Sequence, residues 1–125
     1  MQINLPNILE EVTEIFRVYE AALIGNDVAV LDALFWTSPH VIRYGVTENL
    51  HGHDQILAFR KARPSKGLAR DLCNTVITTF GHDFATANTE FTRDGIQRIG
   101  RQSQAWARLP EGWRIVAAHV SLMEE

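Results

Sequence analysis

Residues 100–123, GRQSQAWARLPEGWRIVAAHVSLM, are strand-like on both sides of Leu109-Pro110-Glu111-Gly112, and so predict two long strands joined by a hairpin. Upstream, 69–80 and 83–93 have the same strand-like composition and are separated by Gly81-His82. Asp94-Gly95 then connects the second of them to 97–108. Four sequential antiparallel strands are therefore expected over 69–80, 83–93, 97–108 and 113–122. Such a sheet has to bury one face, and the only cover available is the N-terminal half of the chain.

That half reads as helical. Ile8, Val12, Ile15, Phe16, Tyr19 and Leu23 recur at helical spacing between Asn4 and Ile24, with Pro6 as a start signal and Gly25 as a stop. Asn26 or Asp27 can cap a second, shorter helix carrying Val28, Val30, Leu31, Leu34 and Phe35, which ends before Ser38-Pro39. The β-rich stretch His40–Val46 suggests one more strand, and Gly52 opens a third helix with Ile56, Leu57 and Phe59 that stops at Pro64. The expectation is a single α+β domain over 1–125: three N-terminal helices packed on a curved antiparallel sheet, enclosing a cone.

Composition narrows the function. The chain has 125 residues, 46% of them hydrophobic, which suits one core and not two. Twelve Lys and Arg against fifteen Asp and Glu give a net charge of -3, which argues against a nucleic-acid partner. The one locally basic run, Arg60, Lys61, Arg63, Lys66 and Arg70, is expected to be a solvated helix end with cations near the negative pole of the dipole. The start of the chain lacks the pattern of a signal peptide and no stretch has the ~18 apolar residues of a membrane span, so a cytoplasmic location is expected. Cys73 is the lone cysteine and is expected to be a small buried or half-buried side chain. His51-Gly52-His53 is the only histidine pair with a metal-like spacing. Its glycine sits where a helix should start and no further ligands are spaced to join it, so a loop is expected and no metal. No glycine-rich phosphate cradle is present.

The C-terminal pattern of strand, Trp106, hairpin, Trp113-Arg114-Ile115 and His119-x-Ser121 resembles the SnoaL-like class of the nuclear-transport-factor-2-like superfamily. More narrowly, ALFWTSPHVIRYGVTENLHGHDQI (33–56), DFATANTEF (83–91) and GRQSQAW (100–106) resemble the AtzH-like family, which includes the HpxZ proteins associated with oxalurate breakdown. The resemblance implies the cone-shaped fold and a bacterial cytoplasmic protein acting beside amidases in the breakdown of small urea-like acids. It further implies the activity of a decarboxylating amidohydrolase that converts 1,3-dicarboxyurea to allophanate in cyanuric acid mineralisation, with no cofactor and no metal.

A substrate with two carboxylates around a planar urea needs donors for the carboxylates and a proton for the nitrogen as the N–CO2 bond breaks. Tyr19 shares a helical face with Val12, Phe16 and Leu23, which points its ring at the sheet; the resemblance places a tyrosine of this helix in the pocket. Arg43 alternates with Ile42, Tyr44 and Val46. Parity alone prefers the apolar set inside, whereas the resemblance prefers Arg43 inside, where it would require a carboxylate ligand or a partner such as Glu90. Thr86, Asn88 and Glu90 share one strand face, and Gln102, Gln104 and Trp106 share another; each face is either a polar pocket wall or solvent-exposed. His119 keeps parity with Trp113, Ile115, Ala117 and Ser121, so its imidazole could hold a carboxylate or exchange a proton, or simply fill the core. Ser121 could only hydrogen-bond.

The expected site is thus Tyr19, Arg43 and His119 for the chemistry, with Asn88, Gln104, Trp106 and Ser121 binding the substrate. Water attack on the terminal carboxyl and direct loss of CO2 both remain open. Two other readings stand beside it: a non-catalytic partner of an amidase that works through the outer sheet face, and an isomerase or cyclase with Glu90 as its base. A homodimer is expected because strand 69–80 alternates Leu72, Val76 and Phe80 against Cys73 and Ile77, leaving apolar side chains on both faces.

Overall fold

Pro6, which has no N–H to lose in a first turn, opens helix α1 (Pro6–Ile24) in the computed structural model, which describes residues 1–125. Its buried stripe is Ile8, Val12, Phe16, Tyr19, Glu20, Ala22 and Leu23. After Gly25, Asn26 takes the left-handed turn (φ 50°), and the Asp27 carboxylate accepts from the Val30 N–H at 3.2 Å to cap α2 (Val28–Leu34). Helix α3 (His53–Ala62) starts after Gly52, whose φ of 86° favours glycine. It ends where Arg63 becomes extended ahead of Pro64.

The strands are β1 (Ile42–Tyr44), β2 (Asn49–His51), β3 (Asp71–Phe80), β4 (Phe84–Arg93), β5 (Ile96–Leu109) and β6 (Gly112–Leu122). They form one sheet in the order β2-β1-β6-β5-β4-β3, antiparallel except where β1 runs parallel to β6. The cone of helices on a curved sheet is the expected α+β architecture. Strand β2 was not anticipated: it is three residues long and buries only Leu50, too little for a period to register.

Two irregularities set which side chains face inward. In β3 the register slips between Cys73 and Val76, with Asn74 at φ 53°, so Leu72 and Ile77 both pack on the core while Cys73 and Val76 face out. The expected alternation of Leu72, Val76 and Phe80 against Cys73 and Ile77 therefore does not hold, and Cys73 is exposed, not buried. In β6, Ile115 pairs with Trp106 and Ala117 with Ala105, which leaves Val116 as an extra residue. Trp113 and Ile115 are buried before this bulge, and Ala118 and Val120 after it.

The core lies between α1 and the inner sheet face. Trp106 is 0% exposed at its centre and meets the Tyr19 ring edge-on, centroids 6.5 Å apart at 89°. Gly100 and Phe91 are paired across β5 and β4, and the Phe91 ring lies over Gly100 where any Cβ would stand. Gly100→Ala should therefore destabilise the fold by roughly 1–3 kcal/mol through overpacking. Urea denaturation would measure this, and adding Phe91→Leu should recover part of the loss.

Candidate active site

Phe16, Tyr19, Glu20 and Leu23 stand at i, i+3, i+4 and i+7 on α1, so the stripe that makes the helix amphipathic also carries a phenol and a carboxylate into the cone. Opposite them, Arg60 follows Ile56 by four residues on the buried side of α3 and is 1% exposed. Arg43 comes from β1, Arg70 from the residue before β3, and Arg93 from the end of β4. Together with Arg63, Glu48, Phe59 and Gln102, the Tyr19, Arg43, Arg70 and Arg93 side chains line a cavity of about 180 Å³.

Two acids tie down two of these cations. Glu20 receives Arg70 through both oxygens, with Nε to Oε2 at 3.1 Å, and Arg70 Nη2 also donates to Gln102 Oε1 at 2.9 Å. Arg43 Nη1 donates to Glu48 Oε1 at 2.9 Å, and Glu48 is further held by the Thr47 hydroxyl at 2.7 Å. Arg60, Arg63 and Arg93 have no carboxylate partner. Arg60 Nη2 donates to the Tyr19 hydroxyl at 3.3 Å, while its Nε and Nη1, Arg63 Nε and Nη2, Arg93 Nε and Gln102 Nε2 are buried without any partner. Five guanidinium groups face two carboxylates, an interior excess of three positive charges.

This excess shifts the groups around it. Burial alone would raise the Tyr19 phenol, but Arg60, Arg43 and Arg70 outweigh it and bring the pKa below its ordinary value. Burial first, then repulsion from Arg60 and Arg43, lowers Arg63 to about 10. Burial first, then repulsion from Arg43 and Arg70, lowers Arg60 against the pull of Tyr19, and burial first, then repulsion from Arg70, lowers Arg93. Burial works to raise Glu48, yet hydrogen bonds from Thr47 and Arg43 hold it below the usual carboxylate range. Because Tyr19 accepts from Arg60, its own proton is free to be donated into the cavity. The arrangement can therefore bind a small anion on fixed guanidinium groups and deliver a proton to it.

Of the expected site residues, Tyr19 and Arg43 come together in this cavity, with Glu48 and not Glu90 as the arginine's partner. Gln104 and Trp106 also face inward, but they bond to each other, indole Nε1 to Oε1 at 3.0 Å, and stand outside the cavity lining. His119, Asn88 and Ser121 are on the other side of the sheet. The bulge at Val116 reverses the facing of everything beyond it, so His119 is exposed beside Tyr44, rings 5.9 Å apart, and Ser121 faces out with it opposite Arg101. Asn88 and Glu90 take the outward parity of β4, and Glu90 accepts from Asn74 at 3.2 Å.

The expectation of a solvated basic helix end is overturned for Arg60, Arg63 and Arg70, which turn into the cone. Arg93 and Glu20 were missed as well. The signals were the four-residue spacings Ile56–Arg60 and Phe16–Glu20, which extend an apolar stripe by a charge. Nor is His51-Gly52-His53 a plain loop: His51 ends β2, and His53 begins α3 with Nε2 at 2.8 Å from Asp32 Oδ1.

The cone of three helices on a six-stranded curved sheet defines a nuclear-transport-factor-2-like protein. A superfamily member from Salmonella enterica is 28% identical and superposes with a TM-score of 0.75 over 95% of this chain and 93% of its own. Across residues 1–125 the chain matches the AtzH-like family model, and it belongs to that family. A Pectobacterium atrosepticum protein of unknown function, from the DUF3225 family, is 62% identical with a TM-score of 0.97, covering 98% of this chain and 95% of that one. A Burkholderia xenovorans protein with a cystatin-like fold is 49% identical with a TM-score of 0.96, covering 100% and 98%. No curated protein matches. No helix is long and apolar enough to cross a membrane.

A depressed folded-state pKa means that ionised Tyr19 stabilises the fold above the ordinary phenol range, and that this contribution is lost as pH falls through the folded value. An ultraviolet tyrosinate titration should accordingly show one of the two tyrosines ionising early. The early step should vanish in Tyr19→Phe and move upward in Arg60→Gln.

Proposed function

We propose that the protein is an enzyme of urea-like acid catabolism, a decarboxylating amidohydrolase that converts 1,3-dicarboxyurea to allophanate. The observation that supports it most is the interior excess of three positive charges around a cavity of small-molecule size. A dianion offsets two of those charges and occupies donors that otherwise have no partner.

In this reading Arg43, held by Glu48, fixes the carboxylate at the reacting end, and Tyr19 hands its proton to the adjacent nitrogen. The N–CO2 bond breaks with its electron pair going to that nitrogen, and the carbon leaves as CO2; if water attacks instead, the same carbon leaves as bicarbonate. Either way the nitrogen takes one proton, which an acidified phenol among guanidinium groups is suited to give. Arg60 then stabilises the phenolate by charge and by its hydrogen bond. The isomerase alternative loses its base, since Glu90 faces away from the cavity, and both cavity acids are committed to arginines.

Incubation with 1,3-dicarboxyurea should consume it and release allophanate and CO2 or bicarbonate. Tyr19→Phe and Arg43→Ala should each lower kcat/KM by about 10²–10⁴-fold, the range of a lost acid or anchor, whereas His119→Ala should retain full activity. No turnover, or full rates in the Tyr19 and Arg43 variants, would remove the assignment.

The outer sheet face carries a groove of about 410 Å³ lined by Ile42, Tyr44, Ala105, Ala117 and His119, with Val76 and Phe84 exposed on the same sheet. We propose that a second copy of the chain covers it, as a homodimer. Light scattering should report twice the monomer mass, and a monomer mass would reject the proposal; capture of an amidase by the same face would point to the accessory role instead.

A further inference from the structure

The four arginines that line the cavity are organised by two phenylalanine rings. The Arg43 and Arg63 guanidinium carbons stand 5.3 and 5.2 Å from the Phe59 centroid, and those of Arg70 and Arg93 stand 4.5 and 5.0 Å from the Phe91 centroid. Each ring therefore carries a pair of cations, held by attraction to its face in spite of their mutual repulsion. Within each pair one arginine is neutralised, Arg43 by Glu48 and Arg70 by Glu20, and the other has no acid at all. The unneutralised members, Arg63 and Arg93, both line the cavity and both keep buried N–H groups without acceptors.

A single carboxylate on one of these half-sites leaves the other cation uncompensated. Two carboxylates on one small molecule satisfy both halves at once, because joining them makes the second contact intramolecular. Gln102, 2% exposed, holds Arg70 through its oxygen and turns a partnerless amide N–H toward the same cavity. That N–H is a donor for the uncharged middle of such a ligand.

We infer that the cavity is a two-armed dicarboxylate site in which Arg63 takes one carboxylate and Arg93 the other, so that these two residues select dianions over monoanions. The inference rests on the reading of the cavity as the binding place of a small acid, and it adds the residues that set ligand class. Arg63 and Arg93 act in recognition. Arg43 and Tyr19 act at the bond that breaks.

Glutarate and butyrate separate the two ideas. Glutarate spaces its carboxyl carbons by three atoms, as 1,3-dicarboxyurea does, and has no N–CO2 bond to lose; butyrate is the same chain with one carboxylate removed. Titration calorimetry on the wild-type protein should give glutarate at least tenfold tighter binding than butyrate. Arg63→Gln and Arg93→Gln should each weaken glutarate by tenfold or more, to near the butyrate level, while changing butyrate only a few-fold; the double variant should bind neither. Both single variants should melt no lower than wild type without ligand, since each removes a half-buried cation that has no acid partner and keeps buried N–H groups without acceptors.

Equal affinity for the two probes in the wild type would overturn the inference. So would an equal loss for both probes in the variants, which marks a general field and not two arms. Lowered melting in the variants would make the arginines structural and overturn it as well. If glutarate selectivity holds and 1,3-dicarboxyurea is not turned over, the site stands and the reaction falls; turnover without selectivity gives the reverse.

Discussion

The Glu20–Arg70 pair is the interaction on which the rest of the arrangement depends. It joins α1 to the start of β3 across fifty residues of chain, inside the cone, where neither charge can be left without the other except at a cost of several kcal/mol. With Arg70 fixed there, Phe91 is held beneath it, Arg93 comes to the same ring, and Gln102 turns its oxygen toward the arginine. The Arg43–Glu48 pair does the same for the Phe59 side from the short β1–β2 turn, where the Gly45 N–H donates to the Glu48 carbonyl at 2.8 Å. The interior is thus built as two supported halves around Tyr19, and Arg60, Arg63 and Arg93 are the cations without an acid.

Most of the scaffold was legible in the sequence. Four long strands announced themselves through strand-like composition and glycine-bearing connections, and three helices through apolar spacing and their start and stop residues, because those signals are local. The site was half legible. Tyr19 could be placed, since a helix fixes facing over its whole length, and Arg43 was placed by family resemblance against its own parity. His119 could not be placed, since a strand fixes facing only until a bulge, and nothing in Ile115-Val116-Ala117 marks the extra residue. The basic run was misread for a different reason: charges are assigned to solvent by default, and Arg60 and Arg70 are buried only because Tyr19 and Glu20 wait for them on a distant helix. Pairings between residues this far apart in sequence leave no local trace.

The shared cone does not by itself choose a chemistry. What distinguishes this chain is the content of its interior, where a fold that could close on an apolar core instead keeps guanidinium groups with donors to spare. Retaining such groups costs stability unless a ligand compensates them, as expected of a binding site and not of a purely structural core.

The same interior reverses the sense of the molecule's overall charge. The chain is net -3, yet its cavity groups sum to three positive charges, so the remainder carries six negative ones. An approaching dianion meets an exterior whose net charge is of its own sign, and opposite charge in the cavity. Added salt screens the long-range repulsion within a Debye length of ~8–10 Å and reaches the buried attraction much less. Capture of a doubly charged ligand would then be slowest in dilute buffer and quicken with ionic strength, the reverse of ordinary electrostatic steering toward a cationic surface.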